Sequence, residues 1–364
     1  MEEILIIFPS DHQLEYLIGK SFKDKKLYLV LQDTCQNRLK KRKGIAFVNK
    51  TNEEVIADLK TKNLSVLCCH EEAVYWLLNH DSPSWRLQFN RKYMELLNKI
   101  SLKSYLNVSG IPNARFTTSI SEIIQYPVIA KPSIGFGSIG VRTISTPDEA
   151  EKYVREFKTM IQNSPIAPYQ NQYFRNNLNY PMFEEKLEGA FFRVPIIVAK
   201  GKCEAIFPIQ GITKCIKRNS EYHWEEFELN HLTENERARR INNIVDQLIS
   251  SFELNNGVYV AEFIEEQNGN VFLLEFSPRK SSERINKIIQ LATGVDLEIE
   301  ALCFFLQCDR VIRGFEAQRT VRLRLENETS PLPDLPSIYR QIEEIDDCSL
   351  YDKKIHQKYY IIIE

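Results

Sequence analysis

Glycine is scarce in this chain, 13 among 364 residues, and Gly135, Gly137 and Gly140 fall almost together. Other absences narrow the function. No apolar run approaches the roughly 20 residues that a membrane-crossing helix needs, so no membrane role is expected. Net charge is only -2, so no global field draws the chain to nucleic acid or to an acidic membrane. The one dense basic run, Arg38-Leu-Lys-Lys-Arg-Lys43, reads as a solvated loop. The eight cysteines contain no Cys-x-x-Cys pair, and the six histidines show no metal-ligand spacing. That speaks against a zinc site or a disulfide framework and for reduced thiols in the cytoplasm. The opening Met1-Glu-Glu-Ile-Leu-Ile-Ile-Phe8 is acidic and then strand-like, unlike a signal peptide.

What is present is ordinary globular material, 43% hydrophobic and 26% charged, in a length that suits two or three domains. Residues 1–88 alternate strand and helix signals. Strands are predicted at Ile4–Phe8, Lys26–Leu31 and Leu64–Cys68, and helices at His12–Phe22, Asn52–Lys60 and Glu71–Leu78, which makes a small parallel α/β unit. A long helix is predicted from about Arg91 to Val108, stopped by Gly110-Ile-Pro112. Short strands follow at Ala114–Thr117, Val128–Ala130 and Val141–Ile144. Ser145-Thr-Pro147-Asp-Glu149 then carries a capping hydroxyl, an early proline and acids, as a helix start does. Residues 162–180 read as a surface loop and 213–231 as a mobile one. Helices are expected at Thr233–Phe252, Ile285–Ala292 and Leu297–Leu306, and strand-like pieces at Thr320–Leu325 and Tyr359–Ile363.

Two segments carry chemistry. In Val258–Arg279, Asn268-Gly269 is a strong tight-turn signal. Centring a hairpin there pairs Gln267 with Asn270, Glu265 with Phe272, Phe263 with Leu274, and finally Glu262 with Glu275. Ser277 falls on the same face as Glu275. Opposed like charges destabilise a sheet unless a cation lies between them. Two carboxylates and a hydroxyl suit a hard ion such as Mg²⁺. The plainer reading, a solvent-exposed strand face with two unrelated acids, stands beside it. The second segment is Lys131-Pro-Ser133-Ile-Gly135-Phe-Gly137-Ser138-Ile-Gly140-Val. Its Gly-x-Gly-x-x-Gly is followed by β-branched residues rather than a helix. The segment therefore joins two strands and is no dinucleotide fingerprint. Its glycines and Ser138 suit backbone wrapping of phosphate oxygens, with Lys131 as a neighbouring cation. The alternative is a flexible surface hairpin.

From Asn90-Arg-Lys92-Tyr through Tyr126-Pro-Val-Ile-Ala-Lys131 and the glycine loop, then Phe183-Glu184-Glu185-Lys-Leu187-Glu188-Gly189, Glu275-Phe-Ser277-Pro-Arg279 and Ala292-Thr-Gly294-Val-Asp296, the chain resembles the ATP-grasp superfamily, in particular its carboxylate–amine ligases. The resemblance implies an α/β fold with an α+β core in three parts. These are an N-terminal Rossmann-like domain (1–88), an ATP-grasp domain (89–312, with a lid within 115–190) and a small C-terminal subdomain (313–364). It implies ATP and Mg²⁺, with Mn²⁺ as a substitute. Lys92, Lys131 and Ser138 would hold phosphates, and Glu184, Glu185 and Leu187 would form the adenine hinge. Glu262, Glu275 and Ser277 would hold metal, and Arg279 would lie beside an acyl-phosphate. Lys280 and Arg284 join Arg279 as candidates for a substrate carboxylate. Partners would be a small carboxylate and an amine, in a cytoplasmic enzyme, with a homodimer as one assembly.

The chain departs from the family pattern at three places. Ser277 stands for the usual Asn. Phe192 stands where an acid meets ribose, with Glu188 as a substitute. Lys280-Ser-Ser-Glu-Arg284 replaces a Gly-Gly. Arg193, Lys214, Lys217 and Arg218 are further carboxylate candidates, and His223 and His231 are proton-shuttle candidates. A phosphotransferase acting on a small metabolite and a nucleotide-binding regulator without turnover remain as alternative readings.

Overall fold

Residues Ile4–Ile7 are apolar at every position and fully buried, as a parallel strand covered on both faces must be. In the computed structural model they belong to β1 (Glu2–Ile7), the centre of a parallel sheet. Its other strands are β2 (Lys25–Leu31), β3 (Ile45–Asn49), β4 (Ser65–Cys68) and β5 (Arg86–Leu87), in the order β3-β2-β1-β4-β5. The structure describes residues 2–20, 22, 24–31, 44–135, 140–163, 179–212, 216–218, 221–223, 226–229, 236–279, 281, 283–307, 320–325, 340–347 and 355–363. Helix α1 (Asp11–Gly19) covers one face of the sheet, where Leu14 and Leu17 pack with Ile4, Ile6 and Leu29. Helices α2 (Glu53–Lys60) and α3 (Glu71–His80) lie against the other, with Ile56, Leu59 and Val74 in one cluster with Leu5, Ile7 and Val30. Strand order reverses between β1 and β4, which opens a crevice at their carboxyl ends. Strands β3 and β5 were not foreseen. One follows the basic run and the other has two residues, too short for a period.

The helix expected over Arg91–Val108 is two helices, a correction with a local cause. α4 (Lys92–Glu95) ends, and α5 (Lys99–Val108) starts afresh on Asn98, whose side chain accepts from Ile100 N at 2.9 Å. Lys99 N donates to Ser133 O at 2.7 Å, which ties the new start to the segment after Lys131. Gly110, at φ +70°, stops α5 in the left-handed region that favours glycine.

Strands β6 (Phe116–Thr117), β7 (Val128–Pro132), β8 (Arg142–Ile144) and β9 (Pro181–Glu185) form an antiparallel sheet in the order β6-β9-β7-β8. Helix α6 (Pro147–Gln162) covers it through Tyr153, Phe157 and Ile161. The glycine segment therefore does join two antiparallel strands, β7 and β8.

The largest sheet is built on β10 (Gly189–Ala199), beside which β11 (Lys202–Ile206) and β12 (Ile209–Gly211) pair. The stretch 213–231, read as a loop, contains β13 (Ile216–Arg218), β14 (Glu221–His223) and β15 (Glu226–Leu229). β13 pairs with β14, and β15 joins the sheet beside β12. Mixed charge hid them, because partner strands rather than an internal period define them. After α7 (Glu236–Phe252) come β16 (Gly257–Glu266) and β17 (Val271–Ser277), then α8 (Glu283–Thr293), α9 (Leu297–Leu306), β18 (Val321–Leu325), β19 (Arg340–Asp347) and β20 (Ile355–Ile363). The sheet order is β17-β16-β10-β12-β15-β18-β20-β19, so the C-terminal strands extend this sheet. Val245 and Leu248 of α7 lie in the same cluster as Tyr259 and Phe263, on one face, while α8 covers the other. Leu302 and Leu306 of α9 reach the first sheet as well.

Candidate functional site

The β16–β17 hairpin sets Glu262 directly opposite Glu275. The pairing was foreseen, but the path to it was not. The loop has three residues, closed by Glu266 N to Asn270 O at 2.9 Å, with Gly269 at φ +85°. Near the turn the pairs are therefore Glu265 with Val271, Ile264 with Phe272 and Phe263 with Leu273. These correct the expected Glu265–Phe272 and Phe263–Leu274 pairs. A bulge between Glu262 and Phe263 then restores the register. It leaves Leu274 as the extra residue.

Strand alternation decides which neighbours share the face. On β10, Arg193 lies across from Glu262 and donates from Nε and Nη2 to its Oε1 at 2.9 and 2.5 Å. Phe192 points the other way, buried among Phe263, Tyr259 and Phe252, with Arg237 over its ring at 4.6 Å. The question of an acid missing at Phe192 therefore changes. That side chain is core and does not share the face of Glu262.

Lys99 and Glu275 approach at 3.5 Å, and Lys99 Nζ also donates to Gly135 O at 2.5 Å. Burial pushes the Glu275 carboxyl up. Lys99, Lys131, Arg279 and Arg193 outweigh it and hold the carboxyl below its ordinary range. Four cations thus act on the charge of one acid, and one of them, Lys99, pairs with it directly. Ser277 is buried two residues on.

A second cluster lies on β9. Glu184, 3% exposed, pairs with Lys131 at 2.7 Å and with Lys103 at 3.2 Å. Burial raises the Glu184 carboxyl, but Lys103 and Lys131 bring it below its ordinary value. Burial lowers the Lys103 ammonium, partly offset by Glu184. Lys103 Nζ and Glu184 Oε1 have no well-aligned hydrogen bond, which leaves polar capacity in a buried place.

The other predicted residues divide. Glu185 turns to Arg115 in a fork of 2.9 and 3.0 Å, and this pairing takes its carboxyl below the usual range. Leu187 is half-buried just beyond β9. Glu188 is exposed and pairs with Lys186. Lys92 is exposed, its Nζ 4.8 Å from the centre of the Tyr105 ring. The helix break brings Lys99, rather than Lys92, to Glu275. Arg279 is half-buried. Ser138, Lys214, Lys280 and His231 lie outside the described residues, as do the side chains of Lys217, Arg218, His223 and Arg284. Sequence reading passed over Lys99 and Lys103. The signal was there in Asn98, a capping residue, followed by lysines four apart on one helix face.

The donor set fits a nucleotide with a hard cation. All the candidate metal donors are oxygens, on Glu262, Glu275 and Ser277, and lysines and arginines surround them for phosphates.

Comparison with known proteins agrees. A family model described as an ATP-grasp domain matches residues 124–287. A stretch of 75 residues is 28% identical to the carbamoyl phosphate synthase large chain of Pasteurella multocida. That stretch is 21% of this chain and only 7% of that protein's length. The fold is similar along the whole chain to an L-amino acid ligase from Bacillus licheniformis, with TM-score 0.68, 14% identity and 94% of that chain covered. It is also similar to an N5-carboxyaminoimidazole synthetase from Staphylococcus aureus, solved with ADP, with TM-score 0.63, 12% identity, and 100% and 93% of the two chains covered. At such identities the structures speak for fold alone. Residues 124–287 match an ATP-grasp domain, and the chain has the ATP-grasp fold.

Proposed function

We propose that the chain is an ATP-dependent ligase that activates a small carboxylate as an acyl-phosphate and joins it to an amine. One observation carries the reading: Glu275 lies opposite Glu262, with Lys99 at 3.5 Å from Glu275 and Arg193 paired to Glu262. Phosphoryl transfer asks a protein for charge neutralisation and positioning more than for covalent help. Magnesium, or manganese in its place, would be held by Glu262, Glu275 and Ser277 and would neutralise charge on the nucleotide's phosphates. Lys99 and Lys131 hold phosphate oxygens. The hinge at Glu184–Leu187 receives adenine. The sheet of β6, β7, β8 and β9 covers the triphosphate and excludes water.

Arg279 orients the acid. A carboxylate oxygen attacks the γ-phosphorus and ADP leaves. The amine nitrogen then attacks the acyl carbon, the carbon–oxygen bond to phosphate breaks, and the amine proton passes to solvent. The L-amino acid ligase and the carboxyaminoimidazole synthetase, by their names, act in this chemical neighbourhood. An amino acid or related acid is the substrate class we favour.

The test is an ADP-release screen of amino acids and small carboxylates, singly and in pairs, with mass spectrometry of the product. An amide formed with ADP and phosphate supports the reading. A phosphorylated metabolite as the stable product would replace it with a phosphotransferase. Glu275→Gln should reduce ADP release at least about 100-fold, the scale of a lost transition-state charge contact. Undiminished turnover in that variant overturns the metal assignment.

A further inference from the structure

Every carboxylate of the site has a cation of the chain's own against it, but the Arg193–Glu262 pair differs from the others. Lysine ammoniums meet Glu184 and Glu275 from flexible stems. Arg193 stands in the middle of the eleven-residue β10, with β16 on one side and β12 on the other. It faces Glu262 directly in register. Both of its hydrogen bonds land on a single oxygen, Oε1. The guanidinium carbon lies 5.9 Å from the centre of the buried Phe227 ring, and the side chain is 25% exposed. A planar fork packed in this way is a fixed charge that does not swing away easily.

This bears on how many divalent ions the site can take. A second ion would have only the side chains of Glu262, Glu275 and Ser277 to draw on, and Oε1 of Glu262 is already engaged by a guanidinium. Like charges at contact distance repel strongly in a partly desolvated site. Ser277 adds to the shortage of ligands, because its hydroxyl is one short-armed oxygen. The positive charge that a second ion would bring is already supplied by Arg193 on Glu262 and by Lys99 beside Glu275.

We propose that this site holds one divalent ion with its nucleotide, and that Arg193 serves as the fixed second positive charge. The proposal rests on the metal–nucleotide reading above. Arg193 is on this view a positioning residue, which restricts Glu262 to one free oxygen and aims it.

The experiment is Mn²⁺ titration of the full chain in saturating non-hydrolysable ATP analogue, with free ion counted from its electron paramagnetic resonance signal. The wild-type chain is expected to bind one ion. Arg193→Gln should take up a second, or bind it at least tenfold more tightly than the wild type does. Arg193→Lys, which keeps the charge, should stay at one. Two ions in the wild-type chain overturn the proposal and leave the metal–nucleotide reading standing. No nucleotide-dependent Mn²⁺ binding overturns both. If Arg193→Gln fails to fold, as judged by circular dichroism, the wild-type and Arg193→Lys counts still decide.

Discussion

Lys92 and Lys99 are seven residues apart in sequence and play different parts. Lys92 rests on Tyr105, while Lys99 bridges Glu275 and the Gly135 carbonyl. A charge-assisted contact to phosphate is worth about 1.5–3 kcal/mol. Lys99→Met should therefore weaken nucleotide binding by roughly 10- to 100-fold, and Lys92→Met should change it less than about twofold. Calorimetric titration of both variants checks this, and equal losses would contradict it. Glu184 and Glu275 are both held below the ordinary carboxylate range. The unfolded value for Glu is about 4.3. Their contribution to stability is therefore complete above that pH and is lost as pH falls through the lower folded values. Denaturant titrations between about pH 6 and pH 3 should show stability falling with acid. The fall should be less steep in Glu184→Gln, and parallel slopes would remove Glu184 from this account.

At the scale of elements, small departures from regularity place the site. The break at Leu96–Asn98 lets α5 begin where Lys99 and Lys103 face inward, the one toward Glu275 and the other toward Glu184. Asn98→Ala removes the cap and should cost about 1 kcal/mol. It should also weaken nucleotide binding, because Lys99 is the first residue of the freed turn. A stability loss without any change in affinity would mean that the Ser133 anchor alone positions Lys99. On the hairpin, a three-residue loop and a bulge each shift the register by one, in opposite senses, so Glu262 still meets Glu275. A turn signal such as Asn268-Gly269 identifies a hairpin, but loop length and bulges depend on how the strand packs. The opposed acids were legible in the sequence, and the pairs between them and the turn were not.

At the scale of the whole molecule, the first sheet and the largest sheet share a core. One cluster runs from Leu5, Val30 and Trp76 to Val194, Tyr259 and Phe276. Gln88 bonds the two parts together. Its buried amide donates to Pro278 O at 2.6 Å, and its oxygen accepts from Cys68 N at 3.2 Å. Pro278 precedes Arg279, and Cys68 ends β4 at the strand-order reversal. Gln88 therefore ties Arg279 to the crevice. Gln88→Ala leaves two buried backbone groups without partners, at about 1–3 kcal/mol each. It should raise KM for the acid more than KM for ATP, measured with the substrate pair that the screen identifies. Equal effects on both would make Gln88 a structural residue only.

The sequence by itself determined three of the five strands and the three helices of residues 1–88, the strand–glycine loop–strand, the opposed acids and the family these motifs resemble. Each is a local pattern: hydrophobic period, turn residues, or spacing along one segment. Only the tertiary structure decided that Lys99, Lys103 and Arg193 join the site, that Phe192 is core, and that β13, β14 and β15 exist within an apparent loop. Those outcomes depend on partners far away in the chain: Glu275 for Lys99, Glu184 for Lys103, Glu262 for Arg193, and the neighbouring β12 and β18 for β15. A side chain's charge is written in the sequence, but the charge it meets is set by packing.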